Sequence, residues 1–176
     1  MQRVFAFLLV VLISPLLLLT LGLIWIIERE NPIFIQQRIG YNKQPFSIYK
    51  VRTMKAGRIT LLGKVLRKTG IDEIPQLINI IKGEMKFVGP RPLTEADILR
   101  LHWNDDAHKR RWTVKPGITG LAQLINVCDA TVSWNNDITY IDQVSVRLDL
   151  RIIWHSILIP FVGKRCMKQM IHKSST

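Results

Sequence analysis

Residues 4–27, VFAFLLVVLISPLLLLTLGLIWII, run for 24 positions without a charged side chain. As a helix they would measure about 36 Å, against a hydrocarbon core of about 30 Å. No water-soluble surface tolerates such a run, so the rest of the chain is built around a membrane segment. A cleavable signal sequence is the first rival, but its apolar region spans only about 7–15 residues and a small-x-small site follows it. Neither feature is present. Trp25 suits an interfacial aromatic, and Glu28, Arg29 and Glu30 end the segment abruptly. Ser14-Pro15 lies at its middle, where proline removes a backbone donor and favours a kink. Two arrangements fit these residues. One is a single kinked span. The other is a re-entrant helix that breaks at Ser14-Pro15 and leaves on its side of entry. Its halves, 4–13 and 16–27, would be about 15 and 18 Å long, each too short to cross. Both arrangements put the remaining residues on the cytoplasmic side.

Those remaining residues are strongly basic. Lys and Arg total 25 and Asp and Glu 13, a formal charge of +12, while residues 1–28 hold only Arg3 and Glu28. The partners that such a charge selects are polyanions, an anionic membrane surface or phosphate substrates. Apolar residues at 48% exclude a disordered chain. A single long apolar stretch excludes a polytopic transporter. Two cysteines, Cys128 and Cys166, exclude a disulfide scaffold. His102, His108, His155 and His172 are scattered, which argues against a zinc site. The length, 176 residues, suits one domain.

Along this body, 33–38 and 46–52 are β-prone and flank a Gly40–Pro45 turn, predicting a hairpin. Short helices are predicted at 60–68 and at 73–82, the latter stopped by Gly83. Gly89-Pro90-Arg91-Pro92 must be a rigid extended loop, and Pro116-Gly117-Ile118-Thr119-Gly120 is a second backbone-rich loop. Residues 94–112 read as one or two polar helices, and 134–143 and 147–162 as further helices. The tail mixes apolar residues with Lys164, Arg165, Lys168 and Lys173. That composition fits either an interfacial helix or a core helix with a solvated basic end.

Asp72-Glu73 is the one acidic pair inside a cationic stretch. From Lys43 to Glu84 the only acids are Asp72, Glu73 and Glu84, among nine Lys and Arg residues. Neighbouring cations are expected to lower carboxylate pKa values and keep the pair ionised, able to attack phosphorus or hold Mg²⁺. The competing reading is structural: Asp72 as an N-cap and Glu73 as a first-turn acid. Arg91 and the backbone N–H groups of the two loops can face phosphate, although plain turn chemistry also accounts for them. Gly57–Val65 has a superficial P-loop look, but its glycines are one residue too far apart and Val65 replaces the Mg²⁺-binding hydroxyl. The cations are mostly not interleaved with aromatics, which argues against nucleic acid.

Taken in order, the motifs resemble the bacterial sugar transferases, and more narrowly the small monotopic polyprenyl-phosphate phosphoglycosyl transferases. The matching text is Gln37-Arg38-Ile39-Gly40, Phe46 to Met54 with Lys50, and Leu66 to Asn79 with Arg67, Asp72 and Glu73. It continues through Lys82 to Pro92 with Arg91, Val114 to Gln123, and Asp137-Ile138-Thr139-Tyr140. The resemblance implies a mostly helical α+β domain with a small hairpin or sheet (29–176) on a re-entrant helix (1–28) broken at Ser14-Pro15. It implies transfer of a sugar phosphate from a UDP-sugar to polyprenyl (undecaprenyl) phosphate, with release of UMP, as the first membrane step of bacterial glycoconjugate synthesis. Asp72 would be the nucleophile and Glu73 its metal-binding or basic partner, with Mg²⁺ on both. Arg67, Arg91 and Lys50 would bind phosphate. The implied site is the cytoplasmic face of the inner membrane, with downstream glycosyltransferases as further partners. The extended membrane domain of larger members is absent, as expected of a minimal catalytic unit. Two motifs depart from the pattern: no acid follows Arg3 near the start, and Leu124 to Asp129 replaces a Gly-Arg. The rival from another class is a non-catalytic, membrane-anchored basic adaptor for anionic lipid or nucleic acid.

Overall fold

The computed structural model describes residues 1–125 and 129–162. Cys128, Cys166 and the basic tail from Lys164 therefore lie outside the described residues, as does part of the departing 124–129 segment. The fold is α+β, with short two-stranded sheets among helices. It divides into two compact units. Met1–Gln37 and Ser47–Gly83 form the first; Arg38–Phe46 and the residues from Glu84 onward form the second.

The first unit opens with α1 (Gln2–Glu28), which contains Pro15. Proline has no N–H, so the Val11 carbonyl loses its usual partner four residues on. Ser14 Oγ donates to that carbonyl at 2.8 Å and fills the vacancy. The side of α1 bearing Leu17, Leu21 and Ile24 packs on Val51 and Leu66, with Leu62 and Ile71 at the edge. The opposite side carries exposed Val11, Leu12, Leu18 and Leu19. At the C-terminal end Lys55 Nζ donates to the Glu28 carbonyl at 2.6 Å. At the other end the Arg3 guanidinium lies directly over Gly83.

A hairpin follows, with arms β1 (Ile33–Ile39) and β2 (Pro45–Val51). Then come the two-residue strands β3 (Met54–Lys55) and β4 (Arg58–Ile59), paired antiparallel. Helix α2 (Leu61–Thr69) begins where Thr60 Oγ1 accepts from the Gly63 N–H, and ends at Gly70, φ 76°. The Thr60 hydroxyl satisfies one of the free donors of the first turn, and glycine takes the left-handed stop without a Cβ penalty. The helix expected at 73–82 is instead a 3-10 turn (Ile71–Gln76) running into a short α3 (Leu77–Lys82). Pro75 explains the division: its missing N–H interrupts a continuous α-helical ladder. Asn79, fully buried, ties α3 to β2 by donating to the Ser47 carbonyl at 2.7 Å.

In the second unit β5 (Lys86–Val88) pairs in parallel with β6 (Gly117–Thr119), so the loop expected at 116–120 is partly strand. Between them lie α4 (Glu95–Arg100) and a 3-10 turn (Lys109–Thr113), shorter than the 94–112 span expected to hold one or two polar helices. After β6 come α5 (Leu121–Ile125), α6 (Ala130–Asp142) and α7 (Val146–Val162). Val88, Leu124, Tyr140 and Ile152 form one core; Leu93, Ile98, Trp103 and Trp112 form another. The Tyr140 hydroxyl donates to the Val88 carbonyl at 3.0 Å and lies 2.9 Å from Asp149 Oδ1.

Candidate active site

The first unit gathers Asp72, Glu73, Lys50 and Arg67. Both acids sit in the first turn of the 3-10 segment, directly after the left-handed Gly70. Neither caps it, since that turn receives no side-chain cap bond. The N-cap reading of Asp72 is therefore not what the fold uses. The Glu73 N–H donates to the Gly70 carbonyl at 3.1 Å, and this fixes the pair against the end of α2.

Each cation is held from a different element. Lys50, on β2, donates to Glu73 Oε1 at 2.7 Å, with both side chains partly exposed. Arg67, on the last turn of α2, is exposed and donates from Nε to Thr53 Oγ1 at 2.8 Å. The Thr53 backbone is in turn pressed against Gly63, where a Cβ would overlap the Thr53 carbonyl. The glycine thus lets α2 approach closely enough for Arg67 to reach Thr53 and to influence Asp72.

Burial raises the Asp72 pKa above the ordinary carboxylate value, and the Glu73 charge adds to the rise; Lys50 and Arg67 oppose it. The cation-rich sequence led to the opposite expectation, a lowered pKa. Desolvation overturns it, because a half-buried carboxylate loses more hydration than the partly exposed Lys50 and the exposed Arg67 return. A carboxylate of raised basicity is the more nucleophilic one. Lys50 is committed to Glu73, which leaves Arg67 as the exposed cation of the set.

Among the described residues no group of three or more His, Cys, Asp or Glu is assembled for a metal. Asp72 and Glu73 are neighbouring carboxylates at one turn, and the repulsion that Lys50 and Arg67 only partly offset is what a divalent cation would relieve. Mg²⁺ is commonly held by one or two carboxylates plus substrate phosphates and water, so this donor set fits it.

Arg91 belongs to the second unit, with its side chain exposed. Its loop is fastened from behind by a residue that sequence reasoning missed. Arg111 is 3% exposed, pairs with equally buried Asp137 at 2.8 Å, and donates from Nη2 to the Arg91 carbonyl. Its guanidinium also faces the Trp103 and Trp112 rings at 5.3 and 5.1 Å. Burial pushes the Arg111 pKa down and the Asp137 pKa up, each partly offset by the other. Asp137 stands in the Asp137–Tyr140 motif, but nothing in the spacing of Arg111 announced it.

The sequence profile of the family described as "Bacterial sugar transferase" matches residues 1–163. The chain is similar to the uncharacterized sugar transferase EpsL of Bacillus subtilis (strain 168), 40% identical over 157 residues, covering 80% of this chain and 75% of that protein. It is similar to the UDP-N-acetylgalactosamine-undecaprenyl-phosphate N-acetylgalactosaminephosphotransferase of Aeromonas hydrophila, 34% identical over 172 residues. That match covers 86% of this chain but only 40% of the longer protein. The exopolysaccharide production protein ExoY of Sinorhizobium fredii is 35% identical over 169 residues, covering 80% of this chain and 70% of its own length. The chain belongs to the bacterial sugar transferase family.

Proposed function

We propose that the chain moves a sugar phosphate from a UDP-sugar to undecaprenyl phosphate and releases UMP, as the first membrane step of a bacterial surface glycan. The observation that carries this is the Asp72–Glu73 pair, flanked by Lys50 and Arg67, in a member of a sugar transferase family. The Aeromonas relative is named for this chemistry, with N-acetylgalactosamine as its sugar. A passive adaptor has no use for two adjacent carboxylates held at a common turn against their own repulsion.

In the first step an Asp72 carboxylate oxygen attacks the phosphorus that bears the sugar. The bridging P–O bond breaks, and UMP departs with the bonding electrons. In the second step a phosphate oxygen of the lipid attacks that phosphorus, and the Asp72–phosphorus bond breaks to restore the carboxylate. Burial keeps Asp72 basic enough to attack, and Arg67 counters the phosphate charge; Arg91 stays a further phosphate-binding candidate on its own loop. Lys50 holds Glu73 beside it. Asp72 and Glu73 would hold Mg²⁺, which supplies neutralisation of the diphosphate charge when bound.

We place the site at the cytoplasmic face of the inner membrane, with α1 re-entrant. Support comes from the two ends of α1, which are both held by the first unit through Arg3 over Gly83 and Ile24 against Val51 and Leu66. The apolar residues between them stay exposed. A cysteine at position 2 should resist a membrane-impermeant reagent on intact cells, and labelling from outside would establish a full span.

The deciding experiment omits the lipid. Enzyme with a UDP-sugar and Mg²⁺ should release about one UMP per site and gain one phosphosugar on the Asp72 peptide. An adduct on Glu73, or no UMP without lipid, refutes the assignment. Glu73→Gln should slow release yet still permit labelling of Asp72.

A further inference from the structure

Residues 53–71 contain Lys55, Arg58, Lys64, Arg67 and Lys68 and not one Asp or Glu. They build β3, β4 and α2, and expose large apolar side chains among those cations. Met54 is 39% exposed, Ile59 42%, Leu61 82% and Val65 59%. Leu61 and Val65 stand four apart and share the outer face of α2, while Leu62 and Leu66 turn inward to the core with Val51 and Ile24. Lys64 and Lys68, also four apart, flank that outer face, and Arg58 sits on the neighbouring strand. Four exposed apolar side chains interspersed in the chain with cations are not explained by the chemistry at Asp72.

Three occupants could cover such a surface. A second copy of this chain would bring the same cations against themselves in a two-fold contact. A nucleic acid would find charge but no aromatic side chain on which to stack. An anionic bilayer matches both halves of the pattern: headgroup phosphates for the cations and the acyl boundary for the apolar side chains. The surface also lies in the unit that contains α1.

We propose that β3, β4 and the outer face of α2 form a foot that seats in the headgroup layer of an anionic bilayer, as a second attachment beside α1. Because α2 ends two residues before Ile71, the foot sets the height at which Asp72 and Glu73 stand above the acyl chains. The proposal rests on α1 lying in the membrane, and the test reports that separately from transferase activity.

The full chain, with Cys128→Ser and Cys166→Ser, receives one fluorescent label at position 12, 61 or 65. Each protein is placed in vesicles of phosphatidylcholine alone or mixed about three to one with phosphatidylglycerol. Quenching by shallow nitroxide lipids and by aqueous iodide is then compared. Position 12 should be quenched by lipid in both vesicles. Positions 61 and 65 should show at least about threefold more lipid quenching than iodide quenching in the anionic vesicles, and lose that excess with Arg58→Glu, Lys64→Glu and Lys68→Glu together. If 12 is quenched by lipid while 61 and 65 remain open to iodide, the foot does not exist. An excess that survives the charge reversal refutes the anionic-lipid assignment. If position 12 escapes lipid quenching, the foot falls together with the membrane seating of α1, whatever the UMP assay shows.

Discussion

Asp137→Asn tests how much rests on one buried ion pair. Arg111 and Asp137 are each 3% exposed, so removing the carboxylate charge strands a guanidinium away from water. Breaking a buried pair from one side costs about 3–5 kcal/mol. Here Arg111 keeps three partners, the Arg91 carbonyl and the Trp103 and Trp112 rings, and Asn can still accept one hydrogen bond. The loss should therefore fall at the lower end, about 3 kcal/mol, or roughly 6–12 °C in Tm at 2–4 °C per kcal/mol for a chain of this size. Thermal unfolding in detergent, followed by tryptophan fluorescence, reads it. The double change Arg111→Met with Asp137→Leu removes both charges, and should recover most of the lost Tm because burial opposes the charged form of each partner. It should not recover UMP release, since the Arg91 carbonyl has lost its donor and the Pro90–Pro92 loop is no longer fastened. A Tm unchanged by Asp137→Asn would refute the energetic argument, and full turnover by the double variant would refute the positioning one.

Asp72→Asn should abolish UMP release while leaving Tm equal or higher at neutral pH. The folded pKa is raised, so the fold disfavours the ionised acid above that pKa, and the penalty vanishes below the unfolded value near 3.8. The UMP burst should fall as pH drops through the raised Asp72 pKa, and Lys50→Met should move that limb to higher pH, because Lys50 favours the ionised form. Stopped-flow or quench measurement of the burst against pH checks both. Gly63→Ala should lower Tm and weaken activity together, because its methyl group meets the Thr53 backbone that holds Arg67. Thr60→Ala removes the α2 cap and should lower stability by about 1 kcal/mol, read as a fall of roughly 2–4 °C.

Features set by local chemistry were legible in the sequence. The short helix expected at 60–68 forms as α2, Gly83 stops α3 as expected, and the hairpin falls at the expected strands. The Asp72–Glu73 pair stood out because it interrupts a run of cations. Features set by distant contacts were not legible. The parallel pairing of β5 with β6 joins segments about thirty residues apart and leaves no periodic trace. The direction of the Asp72 pKa depends on burial, which a list of neighbouring charges does not contain. Arg111 reads in sequence as one more surface cation beside Arg110; only its enclosure by Asp137, Trp103 and Trp112 distinguishes it.

The hairpin tip, Arg38–Phe46, belongs to a unit whose other residues begin at Glu84. Ile39 bonds to Leu93, 54 positions later, through its N–H and the Leu93 carbonyl at 2.8 Å. On a ribosome adding about 5–20 residues per second, that strand edge waits roughly 3–11 s for its partner after it is made. Through this interval α1 already exists and can enter the membrane, while the tip presents an unpaired edge beside β-prone sequence. No single cut of the chain separates the two units: a fragment ending at Gly83 keeps the tip and discards what pairs with it. Ribosomes stalled before Leu93 should therefore hold chains that are membrane-bound yet prone to associate through residues 38–46.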